Sequence, residues 1–206
     1  AALFPAVARL FGLRAMVFTV FFLLICVGVW YVLTPRANIA DVAVTMFGPI
    51  YTSLAFSCVV LIRNSDPGLD GAFLALGVML SIWANDAIAY LVGSRIGIHK
   101  MAPRISPNKS WEGFWAGMVG SVAVWAVIGF FHIKSLSLPL ALAIGVVEGL
   151  LSVVGDLFES RIKRGVGVKD SGTIMPGHGG LLDRSDSMIF GCMAAYILLV
   201  MGGIIY

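Results

Sequence analysis

The sequence predicts an all-α protein that crosses a membrane about six times. Of its 206 residues, 59% are hydrophobic and only 12% are charged, whereas a soluble domain carries about 45–50% apolar and about 25% charged residues. Such a chain has too little polar surface to cover a water-soluble core, so most of it must face lipid or other helices. Six apolar runs are close to the length of about 20 residues that a spanning helix needs. They lie at 15–33, 42–62, 71–93, 114–132, 138–158 and 187–206.

The first two runs lie in the region 1–70, which we predict to hold N-terminal apolar helices. Residues 1–14 carry two arginines and are typical of a membrane-surface helix or a linker. The second run contains Gly48-Pro49, so we expect a kink or a break there. Because the chain begins with Ala rather than Met, we also expect that part of this region is missing from the sequence.

The positive charges are distributed unevenly over the connections between the runs. With six spans the connections alternate between the two sides of the membrane. Ten of the fourteen Lys and Arg residues fall on the side that holds 34–41, 94–113 and 159–186. Membrane proteins carry their excess of Lys and Arg in cytoplasmic loops. The two long connections, 94–113 and 159–186, are therefore predicted to be charged loops that face the cytoplasm.

Three acidic residues, Asp86, Glu148 and Asp156, lie within the apolar runs. A charge at the centre of a bilayer costs about 2.5–3.5 kcal/mol on insertion scales, so each acid needs a reason to be there. Each could form a structural ion pair or hydrogen bond instead of serving a function. Asp86 and Asp156 lie nearer the cytoplasmic ends of their spans, whereas Glu148 lies deeper and is the weakest functional candidate.

The densest group of polar residues lies in the last long loop. Asp183 and Asp186 are three residues apart at the start of the sixth run, so on a helix they would share a face. One of them could instead cap that helix. With Asp156 at a neighbouring helix end, they are hard oxygen ligands of the kind that Mg²⁺ binds. The loop's basic residues could neutralise phosphates, or they could follow from topology and bind anionic lipid headgroups. They include Lys163, Arg164 and Lys169.

The polar residues of this region form a recognisable pattern. From Ser160 the chain reads Ser-x-x-Lys-Arg, four residues, Lys-Asp, a spacer, Pro-x-His-Gly-Gly, two residues and Asp-Arg-x-Asp, ending at Asp186. This pattern resembles the signature of the phosphatidate cytidylyltransferase (CDP-diacylglycerol synthase) family, and every fixed position matches. The segments 85–90, 106–113 and 155–159 are also similar to the family. Two mild departures occur, at Ser110, where Thr is common, and at Ser185, where the family usually has an apolar residue.

The resemblance implies that the chain transfers a cytidylyl group from CTP to phosphatidic acid, with Mg²⁺ as cofactor and a second cation left open. It implies a metal shell of Asp156, Asp183 and Asp186. With Lys169, these three form the implied catalytic group. The residues implied in substrate binding are Asp86, Lys109, Glu112, Ser160, Lys163, Arg164, Asp170, His178, Gly179, Gly180 and Arg184.

The same resemblance implies how the chain is organised and where it works. We expect a catalytic membrane domain over 71–206, with the signature loop at 155–186. The expected partners are CTP, phosphatidic acid, membrane lipids and a second copy of the chain, and no nucleic acid. The expected location is the bacterial inner (cytoplasmic) membrane, with the active site facing the cytoplasm.

Other classes of membrane protein remain as alternatives. A CDP-alcohol phosphotransferase also uses an Asp cluster and Mg²⁺, but it needs paired Asp motifs, and only one Asp-x-x-Asp occurs here. A cation-coupled transporter or lipid carrier would use Asp86, Glu148 and Asp156 as a relay, but no inverted repeat is recognisable. A purely structural subunit would not need the polar loop at 159–186.

Overall fold

The computed structural model describes residues 3–172 and 180–205, which form a bundle of helices. The helices are α1 (Leu3–Leu33), α2 (Ile39–Pro49), α3 (Ala55–Asn64), α4 (Asp70–Ile96), α5 (Trp111–Phe130), α6 (Leu138–Gly165) and α7 (Asp186–Met201). A π-helical turn, Ile50–Leu54, joins α2 to α3, and short 3-10 turns lie at Ile133–Ser135 and Leu182–Arg184.

The apolar helices confirm the predicted all-α membrane fold. Within the described ranges, five helical stretches are long and apolar enough to cross a membrane: α1, α2 through α3, α4, α5 and α6. Helix α7 is apolar but has only 16 residues. It nevertheless packs along α6, since Gly155 lies against Asp186 at its start and Leu140 lies against Gly202 just after its end. The chain is an integral membrane protein.

The two polar connections differ from the loops that the sequence predicts. The expected loop at 159–186 is wrong over its first part, because α6 continues to Gly165. An ion pair between Glu159 and Lys163, one turn apart, supports this polar extension of the helix. The other expected loop, 94–113, contains an antiparallel hairpin of β1 (Lys100–Ala102) and β2 (Ser106–Ser110). The sequence pattern did not predict this hairpin.

At Gly48-Pro49, where we expected a kink or a break, the chain stays helical but its hydrogen bonding changes. Because proline has no NH group, regular α-helical bonding cannot continue through it, and the helix changes to π bonding over Ile50–Leu54. Helix α1 has a break of its own at Gly12, whose φ of 74° lies in the left-handed region that favours glycine. The break separates a short first helical segment from the long apolar part of α1.

Helices α4 and α5 approach each other closely through glycines of α5. A Cβ on Gly117 would lie 2.3 Å from the side-chain oxygen of Asn85, and a Cβ on Gly113 would lie 2.7 Å from the Ala89 carbonyl oxygen. Small residues allow helix backbones in a membrane to come this near. The contact fixes the start of α5, and with it the hairpin, relative to the end of α4.

A buried polar network joins α4, α5 and α6 in the interior of the bundle. Glu148 is fully buried and accepts hydrogen bonds from the Ser81 hydroxyl at 2.7 Å and from Trp125 Nε1. Asn85 donates to the Ser152 hydroxyl at 2.7 Å. Polar groups inside a membrane need internal partners, so the network gives Glu148 a structural role. The relay alternative gains no support from this arrangement.

We expect Gly117→Ala to destabilise the protein, because the added methyl group would collide with Asn85 and displace α5. Overpacking of this kind costs about 1–3 kcal/mol. Gly28→Ala in α1 is the matched control, since nothing lies within 4 Å of a Cβ there. Thermal unfolding in detergent, followed by fluorescence-detected size-exclusion chromatography, measures both variants. Equal melting temperatures would contradict the close packing of α4 and α5.

Candidate functional site

A cavity opens at the end of the bundle where α4 and α6 end and where α5 and α7 begin. Its volume is about 690 Å³, within the range of about 300–1,000 Å³ that is typical of small-molecule sites. Seven charged side chains line the cavity, and these residues come from four separate parts of the chain. They are Asp86, Lys100, Lys109, Asp156, Asp183, Arg184 and Asp186.

The hairpin forms one wall of the cavity and is fastened to the start of α5. The Trp111 NH donates to the His99 carbonyl at 2.9 Å. The Glu112 carboxylate accepts from the His99 NH at 3.2 Å and lies 2.6 Å from His99 Nδ1. In this arrangement Lys109 Nζ lies 2.6 Å from Asp156 Oδ2. Glu112 therefore holds the hairpin, and its contact with substrate stays a prediction.

Asp183 and Asp186 occupy different elements. Asp183 lies in the 3-10 turn Leu182–Arg184, whereas Asp186 is the first residue of α7. The expected shared face on one helix is therefore wrong, because the backbone turns between the two residues. Both carboxylates nevertheless line the cavity. Asp186 also accepts a hydrogen bond from the Ser187 NH at 2.8 Å, and an acid in the first turn of a helix is favoured by the helix dipole.

The Asp183 carboxylate is surrounded by donors. Oδ1 accepts from Lys163 Nζ at 2.6 Å. Oδ2 accepts from the Ser171 NH at 2.8 Å, the Ser171 hydroxyl at 2.9 Å and the Gly180 NH at 2.7 Å. Burial raises the pKa of Asp183, but the hydrogen bonds lower it by more, so the pKa lies well below the usual range. The carboxylate is therefore ionised at physiological pH.

Lys163 is shared between two carboxylates. Its ammonium group lies 2.6 Å from Asp183 Oδ1 and also pairs with Glu159. Glu159 is only 1% exposed. Removing one partner of a buried ion pair leaves an uncompensated charge, which is strongly destabilising. Glu159 was not among the predicted site residues, although its spacing of four residues from Lys163 was visible in the sequence.

The carboxylates of the cavity suit a divalent cation in their chemistry. Asp156 and Asp186 both line the cavity, and carboxylate oxygens are the ligands that Mg²⁺ prefers. Lysines engage two of the carboxylates in this arrangement, Lys109 at Asp156 and Lys163 at Asp183. Across residues 3–172 and 180–205, no three His, Cys, Asp or Glu side chains lie close enough together to hold a metal ion. The metal shell predicted from the sequence stays a prediction.

Two of the predicted substrate-binding residues lie near the end of α6 outside the cavity. The Ser160 hydroxyl donates to Asp156 Oδ1 at 3.2 Å. Arg164 is exposed and donates to the Val168 carbonyl at 3.0 Å. Ser160 thus orients a carboxylate of the site, whereas Arg164 binds a backbone carbonyl just beyond the end of α6.

The remaining predicted residues lie in the connection between α6 and α7. Lys169 and Asp170 are exposed and do not line the cavity. His178 and Gly179 lie outside the described residues. Gly180 contributes its NH group to the Asp183 carboxylate. The roles predicted for these residues are not tested by their positions.

The cavity also contains a lysine that the sequence did not single out. Lys100 lies on β1 and lines the cavity. In the described part of the chain it pairs with no carboxylate. A lysine in a basic loop usually reflects topology, so spacing alone could not distinguish Lys100 from its neighbours. Its position in the same cavity as the carboxylates becomes visible only once the hairpin is folded.

The fold and the cavity define an integral membrane protein with a polar site, lined by carboxylates and basic side chains, at the ends of four of its apolar helices. Comparison with known protein families identifies one family to which the chain is similar. The cytidylyltransferase family matches residues 1–201. The chain belongs to this family, which confirms the resemblance drawn from the signature.

Two bacterial relatives illustrate the similarity. The chain is 39% identical over 165 residues to the phosphatidate cytidylyltransferase of Staphylococcus haemolyticus (strain JCSC1435), covering 80% of this chain and 62% of that protein. It is 35% identical over 168 residues to the phosphatidate cytidylyltransferase of Mycobacterium bovis (strain ATCC BAA-935 / AF2122/97), covering 82% of this chain and 54% of that protein. The chain thus spans less than two thirds of the length of these relatives.

We expect Asp183→Asn to loosen the connection between α6 and α7. Hydrogen bonds to a charged group contribute about 1.5–3 kcal/mol, against about 0.5–1.5 kcal/mol for neutral pairs, so the amides of Ser171 and Gly180 should exchange about tenfold faster. Hydrogen exchange with mass spectrometry measures this. Asp66→Asn is the control, because Asp66 binds a single amide in another loop. Unchanged exchange at Ser171 and Gly180 in Asp183→Asn would contradict the role of the charge.

Proposed function

We propose that this protein transfers a cytidylyl group from CTP to phosphatidic acid, giving CDP-diacylglycerol and pyrophosphate for phospholipid biosynthesis. One observation carries the proposal: a single cavity gathers charged residues from each segment of the chain that resembles the family. The relatives named phosphatidate cytidylyltransferase support the same activity. The residues gathered are Asp86 from α4, Lys109 from the hairpin, Asp156 from α6, and Asp183, Arg184 and Asp186 from the signature.

In the proposed reaction a phosphate oxygen of phosphatidic acid attacks the α-phosphorus of CTP. The bond from that phosphorus to the oxygen bridging to the β-phosphorus breaks, and pyrophosphate leaves with the electron pair. The nucleophile is already an anion at neutral pH, so no strong general base is needed. The main obstacle is repulsion between anionic reactants, and the protein has to neutralise and align them.

The basic residues of the cavity are suited to binding the reacting phosphates. Lys100, Lys109 and Arg184 line the cavity directly. Lys163 does not line the cavity but contacts Asp183, which does, so its positive charge would act on the phosphates from a greater distance. Lys169, assigned to catalysis by the resemblance, and the similarly exposed Arg164 could act on phosphates only from outside the cavity, where lipid headgroups are an equally suitable partner.

We also propose Mg²⁺ as the cofactor, with Asp156, Asp183 and Asp186 as the residues that would hold it. The oxygen donors of the cavity fit this ion chemically. When bound, Mg²⁺ supplies positive charge at the phosphoryl oxygens. Asp86, the fourth carboxylate of the cavity, is a further donor for a second cation or a substrate contact.

We place the cavity on the cytoplasmic side of the bacterial inner membrane. The excess of Lys and Arg in the connections on this side supports the orientation, and the bacterial relatives support the location. CTP would then reach the cavity from water, while the lipid phosphate would lie at the level of the headgroups. The resemblance also favours a homodimer, which light scattering in detergent would measure.

Transfer of radiolabel from CTP into lipid, catalysed by the purified protein in detergent with phosphatidic acid, tests the function. We expect label on the α-phosphate to enter the lipid phase and label on the γ-phosphate to stay in water. The reason is that the reaction breaks the bond from the α-phosphorus to the oxygen that bridges to the β-phosphorus. Chelation of Mg²⁺ should stop the transfer, and added Mg²⁺ should restore it.

The controls of this assay separate the activity from its alternatives. If this chain transfers no label, a version extended to the length of the relatives is assayed, because this chain covers only 62% of the Staphylococcus haemolyticus protein. Absence of transfer from both would overturn the proposal. Cation-coupled uptake of a solute into liposomes without nucleotide would instead favour a transporter.

We expect Lys100→Ala to lower kcat/KM, because a charge-assisted contact to a phosphate would be lost. Such a contact contributes about 1.5–3 kcal/mol, which corresponds to a loss of about 10- to 100-fold. Arg104→Ala is the matched control, since Arg104 lies in the same hairpin but is exposed and does not line the cavity. Wild-type kinetic constants for Lys100→Ala would remove Lys100 from the site.

A further inference from the structure

A groove lies between α1, α3 and α4, at the end of the bundle opposite the charged cavity. It opens where α3 ends and α4 begins, whereas the charged cavity lies where α4 ends. The volume of the groove is about 430 Å³, within the range that is typical of small-molecule sites. Six apolar side chains from α3 and α4 form its walls. They are Val59, Val60, Ala72, Ala75, Leu76 and Met79.

The polar residues of the groove lie together at one end of it. Arg63 and Asn64 are the last two residues of α3, and Arg9 belongs to the short segment of α1 that precedes the break at Gly12. The Asn64 side-chain amide donates to the Arg9 carbonyl at 3.3 Å. This hydrogen bond fastens the short segment to the end of α3, so the two arginines that line the groove come from neighbouring backbones.

The apolar walls extend from the arginines toward the middle of the membrane. On α4, Ala72 lies near the start of the helix, and Met79 lies about 10 Å further along its axis. On α3, Val59 lies one turn further from the helix end than Arg63. A phospholipid has the same polarity, with a headgroup at the surface and acyl chains that point inward. Basic pockets between membrane helices bind anionic headgroups in this way.

The two arginines of the groove have no acidic partner among residues 3–172 and 180–205. Neither of them forms an ion pair with a carboxylate, although Arg63 donates to the Asp66 carbonyl at 3.5 Å. Asp66 and Asp70, the acids nearest to Arg63 in the sequence, do not line the groove. Two positive charges therefore lie at one end of an apolar groove, where an anionic headgroup would neutralise them.

The surroundings of Arg9 place it at the level of lipid headgroups. Leu10 and Phe11, which follow it, are 70% and 71% exposed, while Phe4 and Ala8 on the same segment are buried. A short helix with exposed apolar residues beside a base lies at the membrane interface. A soluble anion would bind the arginines without using the apolar walls, whereas a phospholipid uses both parts of the groove.

We propose that this groove binds one anionic phospholipid of the leaflet opposite the charged cavity. Its phosphate lies between Arg9 and Arg63, and an acyl chain runs along α3 and α4. Because the phosphate contacts bases on two helices, the bound lipid holds the short segment of α1 against α3. The site is separate from the proposed reaction, since none of the residues that line the groove lines the charged cavity.

Native mass spectrometry of the purified chain in detergent tests this site, with phosphatidylglycerol as the probe. Phosphatidylcholine with the same acyl chains is the zwitterionic comparison, and we expect it to bind about tenfold more weakly. Arg9→Gln and Arg63→Gln should each weaken the binding of one phosphatidylglycerol about fivefold, because each removes one positive charge. Arg14→Gln is the matched control, since Arg14 is exposed on α1 and does not line the groove.

The comparison of variants decides the result. Lipid that binds the bases around the charged cavity is retained by all three variants, so a loss in Arg9→Gln and Arg63→Gln reports on the groove alone. Equal retention of phosphatidylglycerol by the wild type and both groove variants would overturn the proposal. An equal loss in Arg14→Gln would overturn it as well, because surface charge in general would then explain the binding.

A second pair of variants tests the apolar walls with both arginines in place. Val60→Trp should fill the groove and weaken the binding of phosphatidylglycerol. Val32→Trp adds the same bulk to α1 at a position that is 79% exposed and outside the groove, and it should bind like the wild type. Melting temperatures in lipid-free detergent show whether both variants are folded. If Val60→Trp is unfolded, the arginine variants decide.

Other occupants of the groove would give different outcomes, each of which overturns the proposal. Displacement of the lipid by glycerol phosphate, which has no acyl chains, would indicate a site for soluble anions. A dimer that binds no lipid and dissociates in Arg9→Gln and Arg63→Gln would assign the groove to a second copy of the chain. Loss of lipid binding in a version extended to the length of the relatives would show that the added segment covers the groove. Failure of cytidylyl transfer would leave this site unaffected, since its test uses no CTP.

Discussion

The carboxylate of Asp183 is the point on which the site depends. It binds Lys163 from α6 on one oxygen and the residues Ser171 and Gly180 on the other. The start of α7, with Asp186, follows directly from the same turn. An aspartate with this many structural contacts is a poor position at which to test a metal ligand, because its loss would disturb the site in any case. Asp156 and Asp186 are better positions for that purpose.

The charges of the cavity also bear on the need for a cation. Four carboxylates and three basic side chains line the cavity. A fourth base, Lys163, contacts one of these carboxylates and also pairs with the buried Glu159. The cavity is therefore not strongly positive on its own. Two anionic reactants would meet net repulsion unless further positive charge came with them. This balance is the physical argument for a metal ion as part of the proposed reaction.

The sequence predicted the membrane fold well because long apolar runs have few alternatives in a bilayer. It misplaced the end of α6, since the polar residues around Lys163 have the composition of a loop although they continue a helix. It also gave no sign of the hairpin, because β1 has only three residues and shows no alternating pattern. Asp86 and Asp156 were found because an acid in an apolar run is conspicuous.

Other site residues could not be found in this way. Lys100 is one of several bases in a charged loop, and only the folded hairpin places it in the cavity. A sequence therefore reveals a site residue when its type is rare in its surroundings, as an acid is in an apolar run. It does not reveal a site residue, such as Lys100, whose type is common in its surroundings and whose role depends on its position in the folded chain.

The shortness of α7 affects the lipid around it. With 16 residues the helix is about 24 Å long, while the hydrocarbon core of a bilayer is about 30 Å thick. The mismatch is relieved when the bilayer thins locally beside a short span. Asp186, at one end of α7, would then lie at the floor of a dimple in the membrane surface. A phospholipid that diffuses into such a dimple carries its headgroup downward, so the deformed bilayer itself would bring a lipid phosphate to the depth of the carboxylates.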